Sequence, residues 1–466
     1  MKRYIQGDNR YQSLLFPETL DEYISEDNPV RVIDVFVEEL DLARLGFELI
    51  PADTGRPAYH PAIMLKLYIY GYLNRIQSSR RLEKETQRNV EMMWLTERLM
   101  PDHKTIANFR KDNGASIRKA SSQFIVLCRQ LNLFTQSIVA IDGSKFHGVN
   151  SRSKNFTRAK LKKRMERIEK SLKEYFTELD LADQEDLKIH AIDTDRVKDK
   201  IASLKKRMAE LKVLEEKIQE LPDKQISLTD PEARSMRSNS ETAGVIGYNV
   251  QSAVDIEHHL IVAHEVNNIG IDRAQLFNMA MKAKEALDVD ELTALSDRGY
   301  YSGEQLLACE QAVIITYVPK TNTSGARADG RFDRSDFRYI PEDDQYECPA
   351  GKRLDRQTIT NDGGKKTYRY WRKDCQQCHL KKQCTPGHER RVSRWEHESV
   401  IEAVEERLRK VPEMMTVRKS TVEHPFGTIK SWMGSTHFLT KGLKNVSTEM
   451  SLHVLAYNLK RVMSLS

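Results

Sequence analysis

Ser137-Ile-Val-Ala-Ile-Asp-Gly-Ser-Lys145 is a short apolar run that stops on an acid followed by a glycine. Ile138, Val139 and Ile141 are β-branched and favour an extended strand. Asp142 then stands at the strand's end, and Gly143 lets backbone come close to whatever lies beyond it. The same grammar returns in Leu292-Thr-Ala-Leu-Ser296, which is followed by Asp297-Arg-Gly-Tyr300. A third acid, Glu423, lies in Thr421-Val-Glu-His-Pro-Phe-Gly427, with Lys430 seven residues further on. An Asp before a glycine is, taken alone, ordinary turn chemistry. Three acids in this order, two at strand ends and one on a helix, form the oxygen donor set that two hard cations need. Such cations sit about 4 Å apart when they run phosphoryl transfer.

Outward from these residues the pattern alternates between strands and helices. Residues 137–146 read as a first strand, and 245–254 with 260–266 as a hairpin. A helix is expected over 272–287, N-capped by Asp272, with Leu276, Met279, Ala280 and Ala283 at helical spacing. Residues 292–296 make a fourth strand, 302–310 a helix and 312–318 a fifth strand. Three strands, helix, strand, helix, strand is the order of an α/β, ribonuclease-H-like catalytic core. In that core the first and fourth strands bring two acids together and a later helix delivers the third. A fold carries function only through its site.

At 466 residues the chain has room for two or three domains. A hydrophobic content of 39% supports real cores, while 30% charged residues and a net +6 make the protein well solvated and mildly basic. The opening Met1-Lys-Arg-Tyr-Ile-Gln-Gly-Asp8 lacks the apolar segment of a signal peptide, and no stretch approaches about 18 apolar residues. A cytoplasmic protein with reduced cysteines is expected.

Residues 1–135 read as an all-helical amino-terminal DNA-binding domain divided by charge. Residues 1–74 carry 7 Lys/Arg against 12 Asp/Glu, and residues 75–129 carry 12 against 6. A continuously apolar helix opens at Pro61, so it is expected to be buried. Three short helical patterns follow, the last N-capped by Asp102. A short basic final helix is what a helix-turn-helix reader places in a major groove. His103, Lys104, Asn108, Arg110 and Lys111 are therefore the candidate DNA contacts. A plain helical bundle with basic solvated faces would read the same way.

Two inserts interrupt the expected catalytic domain, residues 136–466. In residues 155–225, Val197, Ile201, Leu204, Met208, Leu211, Leu214, Ile218 and Leu221 recur at spacings of three and four, as do Leu161, Met165, Ile168 and Leu172. Such stripes pack two helices as an antiparallel hairpin or form a dimer contact. The second insert, residues 322–400, holds Cys348, Cys375, Cys378 and Cys384. One C-x2-C knuckle with two further thiols can make a structural Zn2+ site, and His379 or His388 could replace a thiol. Its Tyr368-Arg-Tyr-Trp-Arg372 run suits nucleic-acid backbone contact and base stacking, and equally an exposed, weakly folded insert that binds nothing. Cys128 and Cys309 lie in apolar helical contexts and read as buried small hydrophobes.

Ile141-Asp-Gly-Ser-Lys145, Gly247-Tyr-Asn-Val-Gln251, Ser296-Asp-Arg-Gly-Tyr-Tyr301 and Val422-Glu-His-Pro-Phe-Gly-Thr-Ile-Lys430 resemble the DDE transposases of bacterial insertion sequences. The likeness is to the group named after insertion sequence 1182, within the set that includes insertion sequences 4 and 5, and it extends over nearly the whole chain. It implies that Asp142, Asp297 and Glu423 hold Mg2+ or Mn2+. Lys430, about two helical turns beyond Glu423, would face the same side and hold a phosphate near the cut. The wider group shows a Tyr, Arg, Glu and Lys series around the third acid. Here Thr416 stands near the Tyr position and either Arg418 or Lys419 stands for the arginine, which makes Arg418 a further DNA-binding candidate.

The implied function is a nucleoid-associated transposase that binds the terminal inverted repeats of its element, cuts there and joins the ends to target DNA. It would work as a homodimer or larger assembly on DNA. A metal-dependent nuclease on the same fold and a DNA-binding protein with dispensable catalysis are the alternatives. The intact triad speaks against the second, and nothing in the sequence separates cutting from joining.

Overall fold

The computed structural model of the protein describes residues 19–49, 57–184, 194–221, 223–237, 244–321 and 325–465. Residues 1–8, Pro222, part of the 227–241 linker and the start of the 322–400 insert lie outside the described residues.

Five strands build the central sheet: β1 (Ile138–His147), β2 (Val245–Asp255), β3 (Ile261–Asn267), β4 (Leu292–Ser296) and β5 (Ile314–Tyr317). β1 lies between an antiparallel β2 and a parallel β4. β3 pairs with β2, and β5 pairs in parallel with β4, so the order across the sheet is β3-β2-β1-β4-β5. A short strand, Arg234–Met236, adds to the start of β2. Burial is nearly continuous along β2, as expected of a strand covered on both faces.

The pleat divides β1 between two layers. Val139 and Ile141 enter the main core with Leu276, Met279 and Ala283 of the Leu276–Leu287 helix. Ala140 faces the other way and packs with Leu295 of β4 against Val422 of the Met414–Gly427 helix. That helix therefore covers the face of the sheet on which Asp142 emerges, two residues after Ala140.

The strands fall where the periodicity puts them, but the helix expected from Asp272 begins at Leu276, and Asp272 is not its cap. In the amino-terminal part, the Pro61–Leu73 helix is buried at every position from Ala62 to Tyr72, with apolar residues on all sides and its one charge, Lys66, paired with Asp34 and Glu38. The Ser79–Glu85, Val90–Leu95, His103–Asp112 and Gly114–Gln130 helices follow. Their apolar core runs without a break into that of the sheet. The joining element is the Leu443–Met463 helix, which packs on the Pro61–Leu73 and Gly114–Gln130 helices and on β3. Tyr72 meets His453 edge-on at 4.6 Å, and Arg118 Nη1 donates to Thr448 Oγ1 at 2.7 Å.

Both inserts are folded. The helices Arg158–Gln184 and Thr194–Glu220 pack on each other through Leu161, Ile168, Met208, Leu211 and Ile218. Their heptad stripes are thus satisfied within one chain. The 322–400 segment carries an antiparallel sheet of five strands in sequential order, around Phe337, Tyr346, Leu354, Tyr370 and Val392. Among the described residues no helix is long and apolar enough to cross a membrane.

Candidate active site

The register of β1 against β4 sets two acids side by side. The last pair in this parallel ladder is Ile141 with Ser296, and the next residue on each strand is Asp142 and Asp297. Neighbouring strands run about 4.8 Å apart, so the carboxylates leave the same edge of the sheet together. Each is steadied by a nearby backbone donor: Gly143 N–H to Asp142 Oδ1 at 2.9 Å, and Gly299 N–H to Asp297 Oδ1 at 2.8 Å. Asp297 thereby N-caps the Arg298–Tyr300 turn.

The environment of Asp142 disfavours its charge. Burial is the largest cause and pushes its carboxyl up to about 6. The Arg418 guanidinium and the Gly143 N–H pull the other way, while the negative charges of Asp297 and Asp272 add to the rise. Arg418, on the Met414–Gly427 helix, places Nη2 3.0 Å from Asp142 Oδ1, and both side chains are largely buried, at 15% and 27% exposure.

Glu423 sits on the same helix directly after Val422, which packs beneath the acid pair. Its side chain is nevertheless exposed and makes no hydrogen bond or ion pair among the described residues. Among those residues no three His, Cys, Asp or Glu groups are clustered closely enough to hold a metal ion. The structure thus brings Asp142 and Asp297 together, places Arg418 against the first, and leaves Glu423 outside the pair. Lys430 lies in the π-helical turn Thr428–Trp432 that continues the helix. Its Nζ donates to Ser144 Oγ and to the Lys145 carbonyl, both at 2.8 Å, and stands 4.5 Å over the Phe146 ring. It is tied to β1 two residues beyond Asp142.

The expected four-thiolate zinc site is not supported. Cys348, Cys375, Cys378 and Cys384 border one cavity, but among the described residues they form no group of three that could hold a metal ion. Cys348 and Cys384 pack on the aromatic core of the small sheet, and Cys375 Sγ donates to the Arg372 carbonyl at 3.4 Å.

Of the candidate DNA contacts, Lys104, Asn108 and Lys111 are exposed at i, i+4 and i+7 on one face of the His103–Asp112 helix. His103 is paired with Glu83 at 2.9 Å. Arg110 is a correction. It follows buried Ile106 by one turn and points inward, where Nη1 donates to Tyr72 OH at 3.0 Å and the guanidinium lies 5.6 Å over the Tyr68 ring. It supports the helix rather than reading DNA.

Sequence reasoning missed Asp272 as part of this region. Its Oδ1 accepts from Asn249 Nδ2 and Gln251 Nε2, both at 2.7 Å, and Lys145 Nζ lies 3.6 Å from Oδ2. One signal was present: buried amides at alternate positions on a strand must find a polar partner.

Two family descriptions match the chain. A transposase domain (DUF772) matches residues 18–112, and a transposase DDE domain matches residues 347–463. The second match includes Arg418, Glu423 and Lys430, whereas Asp142 and Asp297 fall between the two. No curated protein matches. Among solved structures, the cryo-EM structure of piggyBac transposase in a synaptic complex with hairpin DNA is similar at 10% identity and a TM-score of 0.34, over 94% of this chain and 75% of that one. With a transposase domain among its amino-terminal helices and a DDE domain over its carboxy-terminal quarter, the chain carries the domains of a DDE-type DNA transposase.

Proposed function

We propose that the chain is an insertion-sequence transposase of the 1182 type. It binds the terminal inverted repeats of its element, releases 3′-hydroxyl ends and joins them to target DNA. The observation that carries this reading is the parallel register that makes Asp142 and Asp297 neighbours at one edge of the sheet. The strand order β3-β2-β1-β4-β5, with β1 antiparallel to β2 and parallel to β4, is what supports a ribonuclease-H-like core.

DDE transposases use divalent metals, generally Mg2+, and such ions polarise a phosphodiester and activate the attacking water or hydroxyl. Asp142, Asp297 and Glu423 would hold them. The hard oxygen donors suit Mg2+ or Mn2+, and the crowding of negative charge around Asp142 is what a cation would relieve. Arg418 now neutralises Asp142. Once released it stands beside Asp142 and can contact a DNA phosphate. Lys430, fixed to the backbone of β1, holds positive charge beside the scissile strand. Lys104, Asn108 and Lys111 supply the exposed face of a DNA-reading helix within residues 1–135. Two ends must be held together, so the working form on DNA is at least a dimer.

The deciding experiment incubates pre-cleaved element ends with the protein, Mg2+ and a supercoiled plasmid. Joined products that vanish in Asp142→Asn, Asp297→Asn and Glu423→Gln, with end binding kept, are expected. Nicking without joining would make the protein a nuclease on the same fold. A variant that still joins would remove its residue from the triad.

A further inference from the structure

The Gly247-Tyr-Asn-Val-Gln251 motif forms part of β2 and has no role in the site as described so far. Its two amides are fully buried, which is costly unless their hydrogen bonds are made. Gln251 stands opposite Gly143 in the antiparallel register, one step from Asp142. The pleat turns Gly143 to the face away from the Asp142 side chain, so Gln251 lies behind the acid pair. Gln251 Nε2 donates to Asp272 Oδ1 at 2.7 Å, and its Oε1 accepts from Tyr300 OH. Tyr300 closes the turn that Asp297 caps. Asn249 Nδ2 donates to the same Asp272 oxygen and to the Ile269 carbonyl at 3.0 Å.

The space for this arrangement is made by Gly143. A Cβ there would collide with Gln251 Nε2 and come within 2.9 Å of Asp272 Oδ1. The direction of the relay is also fixed. Tyr300 is buried among the charges of Asp272, Asp142 and Asp297, and burial first, then those charges, holds its hydroxyl well above the ordinary phenol range. It remains a donor, so Gln251 must turn its oxygen to Tyr300 and its amide to Asp272.

We propose that Asp272 and Gln251 are positioning residues that set Asp297 against Asp142. Asp272 holds the Gln251 amide, Gln251 holds Tyr300, and Tyr300 holds the turn bearing Asp297, while the whole relay packs on the Asp142–Gly143 backbone. This inference rests on the reading of Asp142 and Asp297 as the catalytic pair. Neither oxygen of Asp272 needs to touch metal or DNA for the effect, because the outer partners of metal-binding carboxylates fix their orientation.

The test uses the full-length protein and a labelled element end, with single-turnover cleavage followed against MnCl2 concentration. Asp272→Asn and Gln251→Glu should each slow cleavage by about 10–100-fold and raise the half-saturating Mn2+ concentration. Affinity for the end should stay near wild type in all of them, and so should the thermal midpoint of Asp272→Asn, whereas Gln251→Glu, which sets two buried carboxylates together, should melt lower and regain its midpoint in the double variant. The double variant Q251E/D272N exchanges carboxylate and amide across the same contact and should recover most of the rate. Wild-type rate and Mn2+ dependence in Asp272→Asn, or a double variant no better than the worse single one, would overturn the relay. Asp142→Asn run in parallel separates the two levels. If it is inactive beside a fully active Asp272→Asn, the relay alone fails; if it still cleaves, the catalytic pair fails and the relay with it.

Discussion

Asp142 should be a residue that the folded protein tolerates at a cost, and the size of that cost follows from its surroundings. Its carboxyl moves from 3.8 to about 6, chiefly through burial. The folded protein therefore holds a proton between about pH 4 and 6 that the unfolded chain has already released. Stability must fall as pH rises through that window, because the folded state binds more protons there. At about 1.36 kcal/mol per pH unit, a rise of about two units amounts to roughly 3 kcal/mol by pH 7. Asp142→Asn removes the titration while keeping the shape. In metal-free, EDTA-treated protein the variant should match wild type near pH 4, gain on it steadily up to pH 6, and stay ahead by about 1–3 kcal/mol above that. Urea unfolding of both proteins at half-unit steps from pH 4 to 8 measures the difference, in which all other titrating groups cancel. A variant that is less stable at pH 7, or a difference that does not change with pH, would refute the burial of this carboxyl as the dominant influence.

Three further outcomes follow. Arg110→Ala should lower stability by about 1–3 kcal/mol, since it leaves the buried Tyr72 hydroxyl without its partner. Lys104→Glu with Lys111→Glu should leave stability unchanged and weaken end binding, with a shallower dependence of affinity on salt, as titrations at several salt concentrations would show. Burial pushes the Cys128 and Cys309 thiols up to about 12, so in native protein at pH 8 iodoacetamide should label Cys348, Cys375, Cys378 and Cys384 and spare those two until the chain unfolds. Protection of the four as well, lifted by a chelator, would restore the zinc reading.

The acid pair was legible because its signals are local. A mostly apolar run ending in Asp is a strand end wherever it pairs, and two such runs in a parallel sheet bring their ends together. The hairpin of β2 and β3 was visible for the same reason. What escaped depends on contacts between residues far apart in the chain. Asp272 has the local look of a helix cap, and only the folded chain reveals that it faces Asn249 and Gln251. Arg110 shares the basic composition of its helix, yet its place one turn after Ile106 puts it on the buried side. Glu423 was found from its motif, but motif spacing says nothing about side-chain direction. The four cysteines have ligand spacing, while the aromatic core against which Cys348 and Cys384 pack comes from strands the thiol pattern does not reveal.

The Leu443–Met463 helix gives the protein a timetable. Arg118 and Thr448, which meet across it, are 330 residues apart. At about 5–20 residues per second, a ribosome needs roughly 15–70 s to bring the second after the first. Through that interval the Pro61–Leu73 and Gly114–Gln130 helices, joined in its second half by strand β3, wait with apolar surface open, and chaperone occupancy of the nascent chain should be highest there. The same delay acts as a genetic safeguard. A frameshift or stop anywhere upstream of residue 443 removes the packing partner of the amino-terminal helices along with Glu449, His453 and the rest of that helix. Decayed copies of the gene should then yield aggregates cleared by proteolysis, and not a stable truncated protein that occupies DNA ends without cutting them.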